Sequence, residues 1–234
     1  MAQRGSVRHM FPGGNTAHGF YSFYDNVVGE NARRAFILKG GPGTGKSTFM
    51  TKIADELVSR GFACELHHCS ADPDSVDAVV FPELGIALLD GTAPHVIDPQ
   101  FPGLLDEIVD LGRYLDERSL RSRQEHIVRY KAAGKRHYGR AYSYLAAAKH
   151  VRDNVAATQA SSVDAAIVHG AARRVEAELI RLAAARFGGR RPADSGKRRR
   201  LFISSITPDG FRHHLPTLVD GLPHVFVVRG GPGT

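Results

Sequence analysis

The sequence predicts an α/β fold: a mostly parallel sheet flanked by helices, with a long α-helical hairpin inserted. Three observations predict it. Short apolar runs ending at glycine or aspartate, at 35–39 and 85–90, read as buried strands. Between them lies an amphipathic run with apolar residues at three- and four-residue steps. Beyond about residue 104 the apolar residues recur only at helical spacing, over two long stretches.

The elements follow in order. Ala35 to Lys39 is apolar up to Lys39 and is followed by glycine, as a buried strand would be. From Lys46 to Arg60, Phe49, Met50, Ile53, Leu57 and Val58 share one helical face, and Gly61 stops the helix. Residues 62–69 alternate as a strand, and "GIALLD" (85–90) is a second buried strand. Residues 91–103 hold three prolines and read as a loop. From about 104 to 187 no strand signal remains. Tyr138, Ala141, Leu145, Ala148 and Val155 form one helical stripe, and Val163, Ile167, Ala171, Val175, Leu179 and Leu182 a second. Ser161 and Asp164 make a capping-box-like start between the two. "GGRRPADSGKRRR" (188–200) is a basic linker, and "LFISSI" (201–206) is the next strand signal.

Bulk properties exclude several classes. With 42% hydrophobic and 24% charged residues, the composition is that of a soluble globular protein. No apolar run approaches the ~20 residues that span a bilayer, and the first residues lack the apolar stretch of a secretory signal. Cys64 and Cys69 read as reduced thiols, which places the chain in cytoplasm. Six of the seven net positive charges fall within 186–200. Nucleic-acid binding by the whole domain is therefore not indicated, and that stretch is either a solvated linker or a phosphate-tracking patch.

The chain also repeats itself. Residues 10–28 align with 201–219 at an offset of 191, matching Phe11 to Phe202, Thr16 to Thr207, and Gly19-Phe20 to Gly210-Phe211. "AFILKGGPGT" (35–44) then matches "VFVVRGGPGT" (225–234) at an offset of 190. So wide a spacing points to a duplicated domain rather than a solenoid. The expected organisation is a first unit at 1–187 with its hairpin at about 104–187, the linker at 188–200, and at 201–234 the start of a second unit, truncated within its loop. Residues 201–206 are alternatively the strand that completes the sheet of the first unit.

Gly40, Gly41, Pro42, Gly43, Thr44, Gly45, Lys46 and Ser47, with Thr48 after them, fit G-x-x-x-x-G-K-[ST]. Glycines let backbone N–H groups wrap a phosphate, and the helix that follows adds its positive N-terminal end. Lys46 supplies a cation to the β- and γ-phosphates, and Ser47 a hydroxyl to Mg²⁺. Asp90, at the end of an apolar strand, is the expected second Mg²⁺ contact, or else a turn former before Gly91. Gly91 stands where many ATP-hydrolysing proteins carry a water-polarising glutamate, so either fast hydrolysis is not expected or the base lies elsewhere. "HHCSADPDS" (67–75) gathers His67, His68, Cys69, Ser70, Asp72 and Asp74 at a strand end. His68 and Asp72 are the candidates there for a substrate or water-activating role, with His95 in the same set; turn-shaping around Pro73 is the plainer alternative. The spacing suits zinc poorly. Arg113, Arg121, Arg123, Lys135, Arg136 and Arg140 lie in the helical stretch, and none is singled out as a γ-phosphate contact.

The loop and the strand before it resemble the P-loop NTPase superfamily. "FPGGNTAHGFYSFYDN", "FILKGGPGTGKST", "HHCSADPDSVDAVVFPELGIALLDGTAPHVIDP" and "ITPDGF" before a second "GGPGT" are similar to a bacterial family of tandem P-loop proteins, described as ATPase-like or nucleotide-kinase-like. The resemblance covers roughly 9–103 and 200–234. That family completes its second loop with Gly-Lys-Ser/Thr, which this chain lacks. The resemblance implies ATP and Mg²⁺. Three functions are open: an ATPase or nucleotide-driven switch, a nucleotide or small-molecule kinase with the hairpin as lid, and a non-catalytic sensor whose hairpin docks a protein partner.

Overall fold

The computed structural model describes residues 3–29, 31–93, 96–188 and 198–232. In chain order the elements are β1 (Val7–Met10), β2 (Gly13–Thr16), β3 (Gly19–Ser22), β4 (Arg34–Lys39), α1 (Lys46–Ser59), β5 (Cys64–His68), β6 (Val76–Phe81), β7 (Ile86–Asp90), β8 (Asp106–Asp110), α2 (Glu117–Ser122), α3 (Gln124–Ala160), α4 (Ala165–Phe187), β9 (Ser204–Thr207), β10 (Gly210–His213) and α5 (Leu215–Val219). Six strands form one sheet in the order β1-β5-β6-β7-β4-β8. All run parallel except β6, which is antiparallel to β5 and β7. The fold is thus α/β with a mostly parallel mixed sheet and long helices.

Alternation along the strands sorts the core into two faces. Leu38, Val79, Phe81 and Leu88 pack with Met50, Ala54 and Val58 of α1 on one side. Ala35, Ile37, Ala78, Val80, Ala87 and Leu89 pack with Val27 on the other. α1 ends where the sequence predicts. Gly61 takes a left-handed φ of +97°, its N–H bonds Val58 O at 3.0 Å, and the Phe62 N–H bonds Leu57 O at 3.1 Å, a Schellman stop.

Two expectations need correction. The stretch from 104 is not helical at its start: Asp106–Asp110 is strand β8, paired in parallel with β4, and the helices begin at Glu117. β8 is an edge strand with largely exposed charges, so its own residues give no strand pattern; pairing with β4 makes it one. Residues 201–206 do not complete the large sheet either. β9 pairs with β10 in a separate antiparallel hairpin. The cause is visible in the sequence match: β9–β10 is the counterpart of the β2–β3 hairpin, 191 residues earlier.

The two hairpins agree in detail. Thr16 Oγ1 donates to Gly19 O at 2.7 Å, and Thr207 Oγ1 to Gly210 O at 2.9 Å. Gly19 and Gly210 have φ of +97° and +103°. A 3₁₀ turn begins at Tyr24, and α5 at its counterpart Leu215. The copies also face each other. Phe11 N–H bonds Phe202 O at 2.8 Å, and Phe202 N–H bonds Phe11 O at 3.0 Å. Asn15 Nδ2 donates to the carbonyl of Ile206, its own counterpart, at 2.8 Å. Matched residues meeting reciprocally define a local pseudo-two-fold axis between Phe11 and Phe202.

By contact density the chain forms two units. The first comprises 1–142 with 200–220, so the second copy of the hairpin belongs to it rather than opening a new unit. The second comprises 143–199 with 221–234; its described residues hold the C-terminal part of α3, then α4, and 221–232 carry no helix or strand. Residues 225–228, counterparts of β4, carry no strand, and Val227 and Val228 are exposed. The linker residues 189–197 and the loop residues 233–234 lie outside the described residues.

Phe202→Pro removes the N–H that Phe11 O accepts and should cost about 1–3 kcal/mol in urea unfolding. Hydrogen exchange at the Phe11 amide should accelerate with it; an unchanged exchange rate would show that the reciprocal pair does not hold the hairpins together.

Candidate functional site

The site grows out of the end of β4. β4 lies between β7 and β8 with both neighbours parallel, so its position is fixed from two sides. The chain then turns through Gly40–Gly45 into α1. Gly43 and Gly45 both sit at φ of +83°, where a side chain would strain the backbone. At Gly40 a Cβ would lie 2.7 Å from Thr44 Oγ1, so only glycine admits the closed loop. Gly45 is the N-cap of α1 and has no side chain to cap with, so the first-turn N–H groups of the helix face outward uncapped.

Lys46 is 7% exposed. Its Nζ donates to Gly40 O at 2.7 Å and Gly41 O at 3.0 Å and lies 3.5 Å from Asp90 Oδ2. Asp90 Oδ1 accepts the Thr92 N–H at 2.8 Å, and Thr92 Oγ1 donates back to Gly40 O at 2.8 Å. Thr44 Oγ1 closes the loop by donating to Gly41 O at 2.9 Å. Ser47 Oγ accepts the Val76 N–H at 3.0 Å, which ties the start of α1 to the start of β6. Lys46, Ser47 and Asp90 therefore gather at one edge of the sheet, where β4 and β7 end and β6 begins. Asp90 and Ser47 are joined through Lys46 and the loop rather than by a direct bond.

The 67–75 segment divides in two. His68 turns away from the loop, toward His9 and His214. His9 Nδ1 and His68 Nε2 are 2.8 Å apart, the His68 and His214 rings stack at 4.6 Å between centroids, and His68 Nδ1 lies 3.0 Å from Pro73 O. Burial and the neighbouring imidazoles lower the His68 pKa to about 4, so the ring is neutral. Ser70, which strand alternation would put on the same side as His68, is buried and lines a different cavity, because β5 ends at His68 and the alternation stops there. Asp72 accepts from Ser75 Oγ at 2.6 Å and shapes the turn. Asp74 lies near His68 and Arg212. His95 lies outside the described residues. Among the described residues no group of His, Cys, Asp and Glu is arranged to hold a metal by itself.

Asp77 was not legible as a site residue. It is the second residue of β6, and continuing the Ala78↔Leu89 register by one residue sets it across from Asp90. Tyr24 Oη donates to its Oδ2 at 2.5 Å, and the Cys69 thiol bonds the same carboxylate. Burial, with repulsion from Asp90 and Asp72, raises its pKa to about 6. Burial and Asp77 together push Cys69 to about 12, so it stays a thiol. Tyr24 is raised as well, chiefly by burial. The available signal was an acid inside the apolar run "VDAVVF".

The chain matches no family model, no curated protein and no solved structure. Among the described residues no helix is long and apolar enough to cross a membrane.

Opposite pH dependences follow. His68 is depressed, so its contribution to stability is full above about pH 6.5 and is lost as pH falls toward about 4. His68→Asn should lose less stability than the parent across that window. Asp77 is raised from 3.8 to about 6, so its contribution is full below about pH 3.8 and is lost as pH rises through about 6. Asp77→Asn keeps an acceptor for Tyr24 and should be more stable than the parent above pH 6, by up to about 3 kcal/mol, with no gain at pH 4. Thermal unfolding of the two variants from pH 4 to 8 checks both signs.

Proposed function

We propose that the chain is a P-loop NTPase that binds Mg-ATP at residues 40–48 and hydrolyses it or switches with it, as a cytoplasmic protein. The observation that carries this is Lys46. A nearly buried ammonium sits among the carbonyls of a glycine loop, between a strand end and an uncapped helix start, 3.5 Å from a carboxylate. Its contacts are of the kind that phosphate oxygens can replace. The α1 N–H groups and the helix dipole then favour the same anion.

Ser47 Oγ and the Asp90 carboxylate are hard oxygen donors and fit Mg²⁺. The ion would neutralise phosphate charge when bound. Lys46 would orient the β- and γ-phosphates, and Thr92, by holding both Asp90 and Gly40, keeps carboxylate and loop in fixed relation. Gly91 supplies no base after Asp90. Asp77, with a pKa of about 6, lies in the range suited to proton transfer, although Tyr24 and Cys69 engage it. A phosphotransferase is the second reading, favoured by a ring-lined cavity at the same sheet edge, walled by α3.

Lys46→Ala should weaken ATP binding at least about tenfold by calorimetry. Unchanged affinity would overturn the assignment. Ser47→Ala and Asp90→Asn should weaken binding more with Mg²⁺ present than with EDTA. Equal losses under both conditions would exclude their metal role.

A further inference from the structure

The first unit contains a cavity of about 550 Å³ lined by Asn15, Phe20, Cys69–Ala71 and the α3 residues Lys135, Tyr138, Gly139 and Tyr142. Its volume is that of a small-molecule site. The α3 residues fall at i, i+3, i+4 and i+7, so one helical face closes over the end of β5. Three aromatic rings (Phe20, Tyr138 and Tyr142) dominate the walls.

Asn15 holds this arrangement in place. It accepts from Tyr142 Oη at 3.0 Å and donates to Ser70 O at 3.3 Å and Ile206 O at 2.8 Å. One side chain thus joins the helix, the β5 end and both hairpins.

The charged residue that lines the cavity on the helix side is Lys135, and its stretch of α3 is basic in sequence. Between Glu125 and Asp153 there is no acid, while Arg129, Lys131, Lys135, Arg136 and Arg140 are basic. No Asp or Glu is among the described residues that line the cavity; next to its Cys69–Ala71 wall, Asp72 is bonded by Ser75, and Asp77 is buried under Tyr24 and Cys69. Gly139 leaves the middle of the helical wall open: a Cβ there would meet no atom within 4 Å.

We propose that this cavity is a binding site for a small aromatic anion, its ring against Phe20, Tyr138 and Tyr142 and its charge on Lys135. The site is distinct from the glycine loop, yet it shares the same sheet edge. Cys69 in its wall bonds Asp77, and the segment from Cys69 leads to Val76, whose N–H bonds Ser47. Stacking on aromatic faces favours a planar ring over a merely apolar one. The proposal concerns binding alone and stands independently of the nucleotide reading.

The test is calorimetric titration of the full chain with phenyl phosphate, cyclohexyl phosphate and inorganic phosphate. Phenyl phosphate should bind more tightly than either of the others. Gly139→Leu fills the cavity with a better helix former, so circular dichroism should show a folded chain while phenyl phosphate binding falls at least about tenfold. Lys135→Ala should weaken it about tenfold. Lys46→Ala should leave it unchanged, which separates this cavity from the loop. No binding of phenyl phosphate up to ~10 mM would overturn the proposal. So would binding that survives Gly139→Leu, binding lost in Lys46→Ala, or cyclohexyl phosphate binding equally well.

Discussion

An ammonium that is almost out of water must be surrounded by oxygen, and the Lys46 contacts set the terms for everything near them. The carbonyls of Gly40 and Gly41 and the carboxylate of Asp90 supply that oxygen. For Asp90 to be there, β7 must run beside β4 in the register that puts Leu38 opposite Asp90. For both carbonyls to turn inward, the loop must close tightly, which the absence of a side chain at Gly40 permits. The desolvation cost of an unpaired charge makes this geometry obligatory rather than convenient. The parallel pairing on both flanks of β4 then holds the loop in place.

Around this pair the protein removes other charge. Cys69 is held as a thiol, His68 as a neutral ring, and Asp77 is pushed toward its protonated form, each mainly by burial. Asp77, raised only to about 6, still carries charge near neutrality and stands as a second carboxylate close to Asp90.

The sequence was most readable where local signals and tertiary placement agree. β4, the loop, α1 and β7 combine apolar runs with glycines that each have a steric job, and all four lie where periodicity and turn chemistry put them. β6 follows directly on the His-, Cys- and Asp-rich segment 67–75, with no turn residue after Ser75 to mark its start, and Asp77 lies within it. β8 carries Asp106, Glu107 and Asp110 on five residues, and only its neighbour β4 makes it a strand. His68 and Ser70 share a side in an ideal strand, but β5 ends at His68, and Ser70 lies beyond it. The cavity against α3 was out of reach for a different reason. Lys135, Tyr138 and Tyr142 look like an ordinary helical stripe until Asn15, more than a hundred residues away, is placed beside them.

The reciprocal bonds between Phe11 and Phe202 carry a consequence for how the chain is made. Their partners are 191 residues apart, so closing that contact costs far more loop entropy than any hairpin in the molecule. During synthesis the N-terminal hairpin emerges first and can form its own turn at Gly19. Its mate leaves the ribosome only after both long helices have been made. Phe11, fully buried in the finished protein, must wait through that interval beside a β1–β5 edge that lacks its cover. The docking of the two hairpins is thus a late event of high contact order.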